Sequence, residues 1–148
     1  MRISAKGRYA LAATISMSQE FSNGECITVI SLSEKLGISK IYLEQVFSLL
    51  KRGDIVTSVK GAQGGYMLSR MPKQISVYQV LSAVESSLIE SAEDTVGQKA
   101  PQIDAAMQSL VFNALDSAVK KSLEQVTLDD LVQETDKLNA EHSLMFFI

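Results

Sequence analysis

Residues 28 to 52 constrain the fold more than any other part of this chain. Thr28-Val29-Ile30-Ser31-Leu32-Ser33-Glu34-Lys35-Leu36 reads as a short helix begun by Thr28. It stops at Gly37, because glycine tolerates the left-handed geometry of a helix end. Ser39 then presents a side-chain oxygen to the free first-turn amides of a second helix. In that helix Leu43, Val46, Phe47 and Leu50 fall at i, i+3, i+4 and i+7, an apolar stripe that must face a core. Helix, tight glycine turn and Ser-capped amphipathic helix together form the helix-turn-helix pattern. The opposite face carries Lys40, Ile41, Glu44, Gln45 and Ser48, with Lys51 and Arg52 at its end. Alone, such a face is the solvated side of an ordinary amphipathic helix. Its polar types can equally hydrogen-bond base edges, and a helix is the element that fits the major groove.

The residues that follow decide between those readings. Asp54-Ile55-Val56-Thr57-Ser58-Val59 and Tyr66-Met67-Leu68 are β-type runs flanking Lys60-Gly61-Ala62-Gln63-Gly64-Gly65, the pattern of a hairpin. A hairpin after a recognition helix is a wing. The glycines do not form a nucleotide loop, which would open directly into a helix, whereas here a strand continues. They let the tip approach a groove closely, with Lys60, Gly61, Gln63 and Gly64 as the wing contacts. The expected fold is mostly α with a small β-hairpin: a winged helix-turn-helix over residues 1–85, then a connection and a long dimerisation helix.

Charge supports an anionic partner for the first part alone. Residues 1–73 hold ten Lys/Arg against five Asp/Glu, or +5; residues 74–148 hold four against twelve, or −8, which together give the chain's net −3. An acidic total does not argue against nucleic acid, since phosphates respond to charge within a Debye length of roughly 8–10 Å. A first helix over 2–19 carries Arg2, Ser4, Lys6, Arg8 and Tyr9 at its start. Cations there oppose the macrodipole, and contact with a phosphate backbone would explain them. Cys26 closes an Asn-Gly loop; a lone thiol is either a small buried residue or a candidate redox site. One cysteine and one histidine, His142, leave no multi-cysteine metal site and no convincing catalytic set, so neither a metal cofactor nor an enzyme is expected. No stretch approaches a membrane span and the start has no apolar signal core, so a cytoplasmic location is expected.

In the second half, Ser76 to Glu85 reads as a short helix with Val77, Val80, Leu81 and Val84 inward. Residues 86–99 form a polar connection. Pro101 opens a helix to about residue 123 whose apolar residues, from Ile103 through Leu110, Val111 and Leu115 to Leu123, are more than one face requires. Pairing with the same helix of a second subunit gives a two-fold dimer, which suits palindromic DNA with half-sites ~34 Å or a multiple apart. Thr127 caps a last helix expected to reach Lys137. The ending Leu144-Met145-Phe146-Phe147-Ile148 either folds back on the protein or serves as a peptide ligand for a partner.

The segments Met1 to Tyr9, Ile38-Ser39 with Tyr42 to Gln45, Ser58 to Gly61, and Gly64 to Leu68 together resemble the Rrf2 family of bacterial transcription regulators. The resemblance implies that the helix after Ser39 reads the major groove through Tyr42, Glu44 and Gln45, with Ser39, Lys40 and Ser48 beside them. It implies a wing in the minor groove and phosphate contact at the first helix. Glu44 would suit a cytosine amino group. Lys60 stands where the family often has arginine, so the wing contact is expected to be less selective. Many family members hold an iron–sulfur cluster on three cysteines before the dimer helix; this chain has none between Glu85 and Leu110, which excludes a cluster held that way. The resemblance is closest to cluster-free repressors of cysteine metabolism, and implies that Met145, Phe146, Phe147 and Ile148 bind cysteine synthase.

Overall fold

The computed structural model describes residues 3–21, 26–61, 65–86, 88 and 95–146. Its centre is α1 (Ala5–Gln19), which packs against α2 (Val29–Leu36), α3 (Lys40–Arg52), α4 (Val77–Val84) and α8 (Leu128–Phe146). Helices can close on it from several sides because Gly7, Ala10, Ala13, Thr14, Ser16 and Ser18 are all small and buried. The hydroxyls of Thr14 and Ser18 donate to the carbonyls of Ala10 and Thr14 at 2.8 and 2.7 Å, while Ser16 Oγ is buried with no hydrogen-bond partner among the described residues.

Both helices of the turn begin and end as their caps dictate. Thr28 accepts from the Ser31 amide, Gly37 takes φ +69° with its N–H donating to Ser33, and Ser39 accepts from the Tyr42 amide at 3.2 Å. Leu43, Val46, Phe47 and Leu50 are fully buried. Each such side chain contributes about 1.5–3 kcal/mol on leaving water, so this stripe alone fixes which face α3 turns outward. The hairpin pairs β1 (Val56–Val59) with β2 (Gly65–Leu68), Val56 opposite Leu68 and Val59 opposite Gly65. Ile27 adds a third chain, exchanging backbone hydrogen bonds of 2.8 and 2.9 Å with Tyr66. A Cβ on Gly65 would strike the Ile27 carbonyl, so that crossing needs glycine. The Tyr66 ring stacks on Phe47 at 4.7 Å, tying the wing to the recognition helix.

The core does not stop at residue 85. After a 3-10 turn at Pro72–Gln74, Ser76 pairs with Thr127, the Val77 amide donates to Val126 at 2.8 Å, and the Leu128 amide donates to Ile75 at 2.9 Å. Leu128 is fully buried in the same cluster as Phe47. Between these strands of backbone lie α5 (Val96–Lys99), α6 (Pro101–Met107), a π-turn at Gln108–Phe112 and α7 (Asn113–Glu124). The sequence predicts one regular helix here; the π-turn adds a residue to one revolution and re-aims the apolar stripe beyond it. α8 runs from Leu128 to Phe146, nine residues past the expected end at Lys137. No glycine or proline interrupts Leu138 to Phe146, and His142 meets Phe146 one turn on, ring edge to face at 5.0 Å. Leu144, Met145 and Phe146 are exposed rather than folded back.

Candidate nucleic-acid interface

With its stripe sealed in the core, α3 turns Ser39, Lys40, Ile41, Glu44, Gln45 and Ser48 to solvent. Lys40 Nζ lies 3.8 Å from Glu44 Oε1, both more than half exposed. A pair of that kind is worth only about 0.3–0.5 kcal/mol, so either side chain can reorient to meet a partner. Ile41 is 72 % exposed in the middle of this polar face. The sequence reading gave Ile41 no role; its signal was an apolar residue off the core stripe, and an aliphatic group there can meet a thymine methyl.

Tyr42 differs from its neighbours. It is half-buried, its ring edge-on to Tyr9 at 5.0 Å, with ring planes 84° apart. The ring therefore works mainly in packing α3 against the start of α1, a cross-helix contact that spacing alone does not reveal. Two predicted contact regions are thereby held together, and Tyr9 acts as their joint.

At the start of α1, Arg8 is exposed and Lys6 half-buried, while Arg2 lies outside the described residues. Ser4 has another task. Its Oγ accepts from the Gly7 amide at 3.2 Å and donates to Glu85 Oε1 at 2.6 Å, and its own amide donates to the same oxygen at 3.0 Å. Both donors of Ser4 are thus engaged within the chain, where a phosphate contact is expected from the sequence: it is the cap that fixes where α1 begins. Glu85 also supplies the negative charge that the first turn of α1 lacks.

On the wing, Lys60 and Gly61 are exposed, and Gly61 has φ +143°, a conformation open to glycine and strained for other residues. Gln63 and Gly64 lie outside the described residues. Cys26 is half-buried, one residue before the Ile27–Tyr66 bridge. Met145 and Phe146 are 77 % and 78 % exposed at the end of α8; Phe147 and Ile148 lie outside the described residues.

A capped recognition helix with a polar outer face, braced by a stacked wing and a basic helix start, defines a winged-helix DNA-binding regulator. The model of the Rrf2 family, described as iron-dependent transcriptional regulators, matches residues 3–134. The chain belongs to that family. It is 35% identical over 140 residues to the HTH-type transcriptional regulator IscR of Pectobacterium atrosepticum, covering 94% of this chain and 84% of that one. Among solved structures it resembles CymR, the global cysteine regulator of B. subtilis, with 29% identity, a TM-score of 0.71, and 90% and 98% of the two chains covered. IscR of T. potens is similar to the same degree, with 29% identity, a TM-score of 0.70, and coverage of 93% and 90%.

The iron in the family's description has few donors to bind here. The whole chain has one cysteine, and no group of three or more His, Cys, Asp or Glu among the described residues could hold a metal. One thiolate cannot anchor a cluster that needs several. No helix among the described residues is long and apolar enough to cross a membrane.

Proposed function

We propose that the chain is a dimeric, sequence-specific repressor that reads a palindromic operator in the cytoplasm. The observation that carries this reading is the outer face of α3, where Ser39, Lys40, Ile41, Glu44, Gln45 and Ser48 stand clear of a fully buried stripe. Lys60 and Gly61 reach a second groove, and Lys6, Arg8 and Arg2 meet phosphates. The dimer reading is supported by the apolar surface of the π-turn and its flanks. Ile103, Leu110, Val111, Phe112 and Leu115 are between 40 % and 79 % exposed, more than a monomer gains by leaving wet.

The regulated process we assign is cysteine and sulfur metabolism. The supports are the likeness to a global cysteine regulator and the single cysteine, which removes cluster sensing of the three-thiolate kind. The signal would arrive through cysteine synthase bound at Met145, Phe146, Phe147 and Ile148; Met145 and Phe146 are accessible for it. Calorimetric titration of cysteine synthase into the protein tests this. Binding that is lost in Phe146→Ala is expected; no binding, or binding indifferent to Phe146 and Met145, overturns it.

A second reading has a specific observation behind it. Cys26 adjoins the backbone bridge that steadies Tyr66 in the wing, so oxidising its thiol would disturb the wing directly. Peroxide should then release DNA from the native protein and not from Cys26→Ser; equal release from both rejects an oxidant sensor at Cys26.

A further inference from the structure

The cations at the start of α1 stand between two anchors. On one side Tyr9 sets its ring edge-on to Tyr42 of α3 at 5.0 Å. On the other, Glu85 Oε1 accepts from the amide and the hydroxyl of Ser4, at 3.0 and 2.6 Å. Lys6 and Arg8 lie between those points in the chain, and neither is in an ion pair among the described residues. Ser4 also starts the helix: its hydroxyl oxygen accepts from the Gly7 amide at 3.2 Å and its carbonyl from the Arg8 amide at 3.1 Å.

Glu85 is itself held in place. It is half-buried at the end of α4, its amide donating to the Leu81 carbonyl at 2.8 Å. α4 packs against both α1 and α3, so the frame from which Glu85 holds Ser4 is the frame that carries the recognition helix. The approach is close enough that a Cβ on Gly7 would fall on the Glu85 carboxylate. Ser4 alone caps α1, and the amide of an exposed cap residue can be left to water. Glu85 adds something a cap does not need, a tie from that cap to another helix. Its charge opposes a polyanion near a turn that meets phosphates. Its place there is explained by what it fixes, not by what it attracts.

We propose that Glu85 is a positioning residue for DNA binding. Through Ser4 it locks the first turn of α1 in register with α3, so that Lys6 and Arg8 reach backbone phosphates while α3 lies in the groove. This rests on the reading of the α1 start as a phosphate contact. Without Glu85 the first turn frays, and each contact carries the entropy cost of ordering it again.

The test measures the affinity of the full chain, across a salt series, for one duplex that the native protein selects from a random pool. Glu85→Ala should bind it about tenfold more weakly at physiological salt, and its salt slope should shrink by about 0.9 for each phosphate contact released. On charge alone the same change would tighten binding, so the two accounts differ in sign. Glu85→Gln keeps an acceptor oxygen for Ser4 and loses the charge, and should bind as tightly as the native protein or more so. Glu85→Asp keeps the charge and withdraws the acceptor by a methylene, and should bind more weakly; this pair decides the matter even if Glu85→Ala does not fold. With Lys6→Ala and Arg8→Ala already present, Glu85→Ala should no longer weaken binding, since the cycle isolates what Glu85 does through those cations. Each comparison is made where circular dichroism shows the variant fully folded. Glu85→Asp binding as well as Glu85→Gln, or an equal loss with and without the two cations, overturns the proposal. If the native protein selects no duplex, the DNA-binding reading falls and the proposal with it. A selected duplex bound less tightly by Glu44→Ala upholds that reading, whichever way the Glu85 variants turn out.

Discussion

Replacing Gly7 with alanine tests how the start of α1 is held. A Cβ at Gly7 would occupy the space of Glu85 Oε1 and come within 2.9 Å of Ile3 Cγ2. To admit it, the carboxylate must withdraw from Ser4, giving up hydrogen bonds of 2.6 and 3.0 Å to a charged acceptor. Bonds of that type are worth about 1.5–3 kcal/mol each when well buried, and this pair is only partly buried, so about 2–3 kcal/mol for both is the fair figure. Against that, alanine favours the helix by about 1 kcal/mol over glycine. The net expectation is a loss of about 1–2 kcal/mol in urea unfolding at fixed protein concentration. In a Glu85→Ala background the carboxylate is gone and only the tips of the Ile3 and Leu81 side chains must give way, so the same Gly7→Ala change should cost clearly less. A Gly7→Ala cost that is equal in both backgrounds would refute the reasoning, because the cycle isolates the term shared by Gly7 and Glu85.

Three further outcomes follow from the packing. Leu128→Ala should cost about 2–5 kcal/mol in denaturant unfolding although it lies far along the chain from the helix-turn-helix, because its side chain is fully enclosed in that core. Gly37→Ala should cost only about 1–2 kcal/mol in the same assay, since nothing lies within 4 Å of the added carbon and strain at φ +69° is the whole penalty. For the dimer proposed above, Leu110→Glu, at a position 79 % exposed in the π-turn, should leave the monomer folded and shift sedimentation from dimer to monomer, and unchanged sedimentation would count against that dimer.

The parts legible in the sequence were those fixed by short-range chemistry. Thr28, Ser39 and Ser76 each cap a helix through the amide three residues on, and Gly37 ends one through its own φ, so these boundaries could be read locally. The stripe of Leu43, Val46, Phe47 and Leu50 set the orientation of α3, and with it the outer face. Contacts between distant residues were not legible. Ser4 looked like a phosphate ligand until Glu85, eighty-one positions away, was found holding it. The family resemblance implies a base contact for Tyr42, whose ring rests on Tyr9. The joining of Ile75 and Val77 to residues 126–128 is backbone pairing, which leaves no mark in side-chain periodicity. The extension of α8 past Lys137 was missed because the apolar ending suggested a separate tail, while nothing in Leu138 to Phe146 stops a helix.

Selection of bound duplexes from a random pool, run in parallel with the native protein and Glu44→Ala, addresses the outer face of α3 most directly. The native protein should recover a dyad-symmetric site with half-site centres ~34 Å or a multiple of that apart. Glu44→Ala should keep the spacing and lose a cytosine preference at one symmetric pair of positions, at about 1–3 kcal/mol each. Recovery of the same sequences with the same preferences by both proteins, or of no symmetric site at all, would contradict a groove-reading role for that helix.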